Sequence, residues 1–243
     1  MPGEKLYEGK AKIIYATEDP DVLLTYFKDD ATAFNAQKRG QILDKGKINC
    51  AISTHLFQLL EAQGVATHWL ATPSDREMRV KALTILPLEV VVRNRAAGSL
   101  CRQTGLPLGH ILAPPLVEFY YKNDDLGDPL LTPDRVRVMN LASPEQMDTL
   151  RRQALHINQI LVPFFASCAI TLVDFKLEFG LDRAGQILLA DEISPDTCRL
   201  WDQSTDDETQ RVMDKDRFRQ DLGHIEQAYQ RVLERVAAQS AKF

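Results

Sequence analysis

An α+β fold whose two parts face a shared cleft is what this sequence predicts, on three observations. Short β-rich runs crowd its first third. The remainder mixes further strands with two strongly amphipathic helical stretches, one opening at Ser143 and one covering roughly 214–239. The chain has 243 residues, enough for one large domain or two small ones. The division is expected at 86/87, giving parts 1–86 and 87–243.

KIIYAT (12–17) and VLLTYF (22–27) flank a Glu-Asp-Pro-Asp turn and predict a hairpin. Residues 46–63 predict a helix. Ile48, Ile52, Leu56, Leu59 and Leu60 keep one face, and Gly64 is placed to end it. ATHWLA (66–71), MRVKALTI (78–85) and LEVVVRN (88–94) predict strands. A short helix is expected from Ser99 to Thr104, stopped by Gly105, followed by a strand at LVEFYY (116–121) and a loop over 122–133. Ser143 is the N-cap of the next helix, with Pro144 at its first position and Gln146 completing a capping box. Pro163 is expected to bend or shorten its end. Residues 170–180 and 186–193 predict a second hairpin. The last helix is read as continuous over roughly 214–239, with Phe218, Leu222, Ile225, Tyr229, Val232 and Val236 on one stripe.

Composition excludes several classes. The 44% hydrophobic and 26% charged residues rule out wholesale disorder. A net charge of -5 gives no bulk attraction to nucleic acid or anionic membrane, so neither is an expected partner, and any bound anion must be gripped locally. The opening MPGEKLYEGKAKIIY has no apolar run behind a basic start, so no secretory signal is expected. ILVPFFASCAI (160–170) is broken by Pro163 and Ser167, far short of the roughly 18 apolar residues of a spanning helix. Cys50, Cys101, Cys168 and Cys198 lack zinc-site spacing and are read as free thiols of a reducing compartment, hence a cytoplasmic protein. The five histidines form no H-x-x-x-H or H-E-x-x-H pattern, and no G-x-S-x-G occurs, so none is assigned to catalysis.

The run Val173 to Phe179 carries the most chemistry. Alternation sends Val173, Phe175, Leu177 and Phe179 to one face and Asp174, Lys176 and Glu178 to the other. A turn centred on Arg183-Ala184 makes paired positions sum to 367, which sets Asp191 opposite Lys176, on the face of Glu178. Such oxygen donors suit Mg²⁺, which takes one or two carboxylates and completes its shell with phosphate and water. A solvated charged face gives the same pattern, and a register slip of one residue sends Asp191 to the opposite face.

Three further stretches read as anion corners. DEISPDTCRLWD (191–202) packs four acids, Arg199 and Trp201 into a loop at a strand exit, and Arg199 offers a planar fork to phosphate or carboxylate. LEVVVRNRAAGS (88–99) delivers Arg93 and Arg95 beside Gly98-Ser99, where a helix begins. Lys10 and Lys12 alternate along a strand after a single glycine, which is no P-loop. Lys122 opens a polar loop that reads as a flap or a connector, while Lys215 and Arg219 lie one turn apart near the start of the last helix, where a solvated face is the default reading.

YEGKAKIIY (7–15), VVVRNRAAGSL (90–100), YYKND (120–124), LVDFKLEFG (172–180), DEISPDTCRLWD (191–202) and MDKDRFRQDLG (213–223) together resemble the SAICAR synthetase family, in family order over nearly the whole chain. Cys50 and residues 203–213 depart from the pattern, outside its main motifs. The resemblance implies an α+β fold with a β-rich N-terminal part like a kinase small lobe. It implies an ATP-dependent amide ligase joining L-aspartate to the carboxylate of CAIR to give SAICAR, ADP and phosphate. An acyl phosphate would be the intermediate. Glu178 and Asp191 would hold Mg²⁺ with ATP. Lys10, Lys12 and Lys122 would lie near the nucleotide, and the segment from Lys81 to Glu89 would pass the adenine. Arg93, Ser99, Asp196, Arg199, Lys215 and Arg219 would hold the CAIR side, with Lys176 and Asp174 at the reacting centre. A homodimer is the expected assembly. The chain lacks the H-R-D and D-F-G of a protein kinase, and it keeps the acids and lysine whose loss would mark a non-catalytic nucleotide-binding module.

Overall fold

The computed structural model describes residues 3–33 and 38–242. Strands β1 (Lys5–Glu8), β2 (Lys12–Ala16) and β3 (Val22–Phe27) run antiparallel, and β2 and β3 form the expected hairpin with Lys12 opposite Phe27. A small hairpin follows, β4 (Asp30–Ala33) with β5 (Lys38–Gln41). Helix α1 (Lys45–Ala62) buries Ile48, Ile52, Leu56 and Leu60 and ends before Gly64, as the apolar spacing predicts. Strands β6 (Trp69–Ser74) and β7 (Glu77–Lys81) complete a first sheet of order β1-β2-β3-β7-β6.

The predicted strand 78–85 is divided. The chain leaves the first sheet after Lys81 and enters the second at β8 (Thr84–Arg95), which is twice as long as a typical strand and runs through residues 86 and 87. Helix α2 (Ser99–Thr104) has the bounds read from its sequence, with Gly105 as C-cap. Strand β9 (Ile111–Tyr121) pairs with β8 and with the short β10 (Leu130–Leu131). A helix not anticipated, α3 (Pro133–Val138), begins where Thr132 accepts a hydrogen bond from the Arg135 amide and Pro133 fills the first turn.

Helix α4 (Pro144–Ser167) has the expected capping box of Ser143 and Gln146. Pro163 does not end it; the helix runs on to Ser167. Its buried face, Leu150, Ala154, Ile157, Leu161, Phe164 and Phe165, packs beneath β8 and the central strand β11 (Ile170–Leu181). Strand β12 (Ile187–Ala190) and strand β13 (Cys198–Asp202) share one edge of β11. β12 pairs with Glu178–Leu181 and β13 with residues 170–175. The second sheet thus runs β10-β9-β8-β11-β12, with β13 on β11.

The last helix is not continuous. Helix α5 (Asp216–Arg219) stops, Asp221, Gly223 and His224 take positive φ, and α6 (Ile225–Ser240) begins afresh. Buried Arg217 satisfies two carbonyls of this break and two that precede α5. Its guanidinium donates to Thr209 O, Val212 O, Leu222 O and Gly223 O at 2.7–3.1 Å. Tyr229, Val232 and Val236 are then buried against the core.

The two sheets are joined by residues 66–68. Leu189 donates to Ala66 O at 3.0 Å and the His68 amide donates to Leu189 O at 2.8 Å, making a parallel bridge between Thr67 and Leu189. All four cysteines are free; Cys101 is half-buried and the others are buried. Among the described residues no helix is long and apolar enough to cross a membrane.

Asp202 ties α6 to β13. Arg235 forks onto it at 2.9 and 3.0 Å, and the Ser204 amide donates at 2.9 Å. Burial opposes its charge, but Arg235 and Ser204 hold its carboxyl down to about 2. A depressed folded-state value stabilises the fold above the unfolded carboxylate range, and that contribution is lost as pH falls through about 2. Asp202→Asn should cost about 2 kcal/mol at neutral pH and much less near the acid limit, read as urea midpoints of variant and parent across that range.

Candidate active site

Two connected cavities open between the sheets. The larger, about 550 Å³, lies under the first sheet. Ile14, Leu23, Val80, Leu83 and Ile85 give it an apolar wall, and Lys10, Lys12, Lys81, Glu89, Lys122, Glu178 and Asp191 give it charge. The smaller, about 320 Å³, is polar and is lined by Arg93, Asp174, Arg199 and Arg219 with Thr32. Lys176, Asp196 and Lys215 line both, at the junction. Every residue expected from the sequence therefore reaches one of the two cavities except Ser99, which is joined to them through Arg93.

β11 supplies the floor. Asp174, Lys176 and Glu178 share its cavity face as alternation requires, and pairing with β8 sets Arg93 beside Asp174 and Glu89 beside Glu178. Lys176 Nζ donates to Glu178 Oε1 at 2.6 Å and Glu89 Oε1 at 2.9 Å, and lies 3.6 Å from Asp191 Oδ2. Burial disfavours its charge, but Glu178, Asp191 and Glu89 outweigh that and raise its pKa well above the lysine range. Lys122 caps Glu178 Oε2 at 2.6 Å.

Asp191 arrives by a different route from the one expected. Paired positions of β11 and β12 sum to 368, not 367: Glu178 faces Ala190 and Leu181 faces Ile187. The turn holds one residue more. Gly185 takes φ 79°, and Asp182 Oδ1 accepts from the Ala184 and Gln186 amides at 2.9 and 2.8 Å. That register alone would turn Asp191 away from Lys176. Instead β12 ends at Ala190 and Asp191 adopts φ 61°, which swings its carboxylate back to Lys12 and Lys176. Burial works against its charge, yet Lys12, Lys176 and Lys122 hold it well below the carboxylate range. Lys12 also lies 3.2 Å from Glu192. Lys10 sits in a bend before β2 rather than on the strand, and donates to Asp124 at 2.6 Å.

The smaller cavity is framed by a ladder of alternating charge. Arg93 donates through Nε to Glu118 at 2.7 Å, through Nη1 to Asp174 at 2.9 Å, and through Nη2 to Ser99 Oγ at 3.0 Å and the Tyr120 hydroxyl at 3.1 Å. Arg199 grips both Asp174 oxygens at 2.8 and 3.1 Å, and its Nε donates to Asp216 at 2.7 Å. Asp216 in turn accepts from Arg219 at 2.5 Å. Asp174 is thus a buried link between two arginines. It was expected at the reacting centre, and its contacts are those of a residue that orients its neighbours.

Several contributors are absent from the sequence reading. Lys45, 1% exposed in α1, donates to Asp196 Oδ2 at 2.8 Å, and the Tyr229 hydroxyl donates to Oδ1 at 2.8 Å. Tyr229 reads as one more apolar stripe residue, and nothing near Lys45 in sequence signals a partner 151 positions away. His68 lines the larger cavity; burial and Lys12 push it down to about 4, so it stays neutral. Cys198 lines the smaller cavity, but burial pushes its thiol far up, so it supplies no thiolate. What remains is a site for polyanions, with cations and carboxylates placed to bind and orient and no side-chain nucleophile activated.

Fold and site together define a nucleotide-using ligase of α+β architecture. A solved phosphoribosylaminoimidazole-succinocarboxamide synthase from Ehrlichia chaffeensis superposes with a TM-score of 0.93 at 43% identity, covering 97% of this chain and 99% of its own. A SAICAR synthetase solved in complex with ADP gives 0.91 at 45% identity, with 96% and 97% covered. The phosphoribosylaminoimidazole-succinocarboxamide synthase of Acaryochloris marina is 67% identical over 237 residues, 98% of this chain and 97% of its own length. The family model for SAICAR synthetase matches residues 5–236, and the chain belongs to that family.

Gly98 is where local backbone serves this site. With φ 56° and ψ −124° it opens α2, and a Cβ there would lie 2.4 Å from Arg199 Nη2. Gly98→Ala should displace the Arg199 guanidinium and destabilise the fold by more than Gly105→Ala. Gly105 has open space around it and only its left-handed backbone to strain, about 1 kcal/mol. Melting curves of both variants and a structure of the first check this.

Proposed function

We propose that this chain ligates L-aspartate to the carboxylate of CAIR, cleaving ATP to ADP and phosphate and releasing SAICAR, in de novo purine biosynthesis. The observation that carries the reading is Lys176. It stands where an apolar-walled, lysine-lined cavity meets an arginine-framed one, so one cation would face both a nucleotide's terminal phosphate and a second substrate's carboxylate.

In this reading adenine lies against Ile14, Leu23, Val80, Leu83 and Ile85, in the segment range from Lys81 to Glu89 and its facing strands. Lys10, Lys12 and Lys122 meet the phosphates. Arg199 and Arg219 hold the phosphate of CAIR, Lys215 lies on the substrate side at the junction of the two cavities, and Arg93, Ser99 and Asp174 fix the guanidinium plane from behind. A carboxylate oxygen of CAIR attacks the γ-phosphorus, the bond to the β-phosphate oxygen breaks, and ADP leaves. The amine of aspartate then attacks the acyl carbon, the C–N bond forms, and phosphate departs with the electrons of the broken C–O bond. Both steps need alignment and charge neutralisation more than a protein nucleophile, which matches the residues present.

The donor set fits a magnesium ion. Glu178 and Asp191 offer hard carboxylate oxygens into the nucleotide cavity, and Lys12, Lys122 and Lys176 already neutralise a concentrated negative charge there. When bound, Mg²⁺ would offset phosphate charge beside these two acids. We assign residues 1–86 to covering the nucleotide and 87–243 to the substrates and metal, and we expect a cytoplasmic homodimer acting on these small molecules alone.

Purified protein given Mg-ATP, CAIR and L-aspartate should release ADP only when all three are present, with SAICAR identified by mass. A stable phosphorylated product formed without aspartate would make it a kinase instead, and no release at all would leave a nucleotide-binding protein. Asp191→Asn and Glu178→Gln should lower turnover by about 10²-fold or more at limiting Mg²⁺, with partial recovery as Mg²⁺ is raised. Full turnover at low Mg²⁺ in either variant would remove these residues as ligands.

A further inference from the structure

We propose, resting on the ligase reading above, that Lys215 is the base of the amide-forming step: its Nζ takes a proton from the ammonium group of the incoming amino acid. Amide formation has a requirement that binding alone leaves unmet. An α-amino acid arrives as the ammonium ion, which has no lone pair to attack with, so the site must hold a proton acceptor near the activated carboxylate. The acids there are already engaged by lysines: Asp191 and Asp196 are both held below the ordinary carboxylate range, and Glu89, which burial raises, accepts from Lys176 at 2.9 Å.

Lys215 differs from the other lysines around the junction in what faces it. Lys10 has Asp124 at 2.6 Å, Lys122 has Glu178 at 2.6 Å, and Lys176 has Glu178 and Glu89 at 2.6 and 2.9 Å. Lys12 is closed onto Asp191 with Glu192 at 3.2 Å. The nearest carboxylate to Lys215 is Asp196 Oδ2 at 3.8 Å, and that carboxylate is already engaged. Buried Lys45 holds the same oxygen at 2.8 Å, and Tyr229 holds the other at 2.8 Å. The carboxylate that would pair with Lys215 is therefore shared with α1 and α6, and Lys215 holds only its longest contact. Arg219 on its own helix and Lys45 add positive potential, against Glu192 from the 191–197 loop. Burial pushes the Lys215 pKa down; Asp196 opposes this, Arg219 and Lys45 reinforce it, and the net direction is down, while Lys12 and Lys176 are pushed up.

The position suits the role. Lys215 lines both cavities, and its amide donates to Pro195 O at 3.0 Å, which anchors it to the loop carrying Asp196. The proton balance closes. Neutral Lys215 and the ammonium give a lysine cation and a free amine. The amine nitrogen bonds to the acyl carbon, the C–O bond to phosphate breaks, and the second N–H proton leaves with the phosphate as HPO₄²⁻. Lys215 returns its proton to solvent before the next turnover.

Hydroxylamine separates this step from the rest, because it is unprotonated at neutral pH and needs no base. The wild-type protein with Mg-ATP, CAIR and hydroxylamine should give a hydroxamate. SAICAR formed from aspartate with no hydroxamate would overturn this step and leave the ligase reading standing; formation of neither product would overturn both. Lys215→Met should lose about 10²–10³-fold in aspartate ligation while hydroxamate formation stays within about threefold. Its residual aspartate ligation should climb about tenfold per pH unit, following free amine, against a flatter wild-type profile. Lys215→Arg keeps the charge and cannot serve as base, so it should resemble Lys215→Met. Aspartate ligation preserved in Lys215→Arg, parallel loss of both reactions in Lys215→Met, or parallel pH profiles would each overturn the proposal and leave Lys215 a binding cation.

Discussion

The carboxylate of Asp174, buried on the central strand, is shared by Arg93 from β8 and Arg199 from β13. All three groups lie largely out of water, where an unpaired charge is costly. Removing one member of such a set costs about 3–5 kcal/mol, because the others are stranded. The arrangement therefore constrains far more than its own atoms. It fixes the spacing of three neighbouring strands, and through Asp216 it fixes where α5 must begin. Glu118 and Tyr120 brace the far side of Arg93, so the guanidinium planes that border the smaller cavity have little freedom left.

The second constraint is the change of partner along one edge of β11. β13 accompanies its first half and β12 its second, and the Lys176 amide, between them, donates to Thr197 O at 2.8 Å. A gap opens in the sheet there, and the loop 191–197 fills it. Loop residues consequently reach the middle of a sheet, where a strand would have kept them at the rim. Lys176, Asp191 and Asp196 meet because a strand pair ends early and its successor starts late.

Much of this is legible in the sequence because it is local. The capping box at Ser143, the bounds of α2, the hairpin of β2 and β3, and the shared face of Asp174, Lys176 and Glu178 all follow from spacings of two to four residues. Failures mark the places where distant contacts decide. One extra turn residue shifts the β11–β12 register, and only the left-handed backbone of Asp191 restores its position, a conformation that no neighbouring residue announces. The apolar stripe after Asp214 continues through Gly223, but the carbonyl-rich pocket around Arg217 makes a break there favourable. Lys45 and Tyr229 read as ordinary helix residues until folding brings Asp196 between them.

The bridge between Thr67 and Leu189 bears on how such a cleft can breathe. Two backbone hydrogen bonds stitch the sheets along one seam, and residue 68 contributes one of them while also lining the larger cavity. Any rotation of one sheet against the other must pivot about that seam or break it. That seam joins the sheets by backbone, whereas Lys12 with Asp191 and Lys10 with Asp124 join the same two parts by charge, so raising salt loosens the second link and leaves the first.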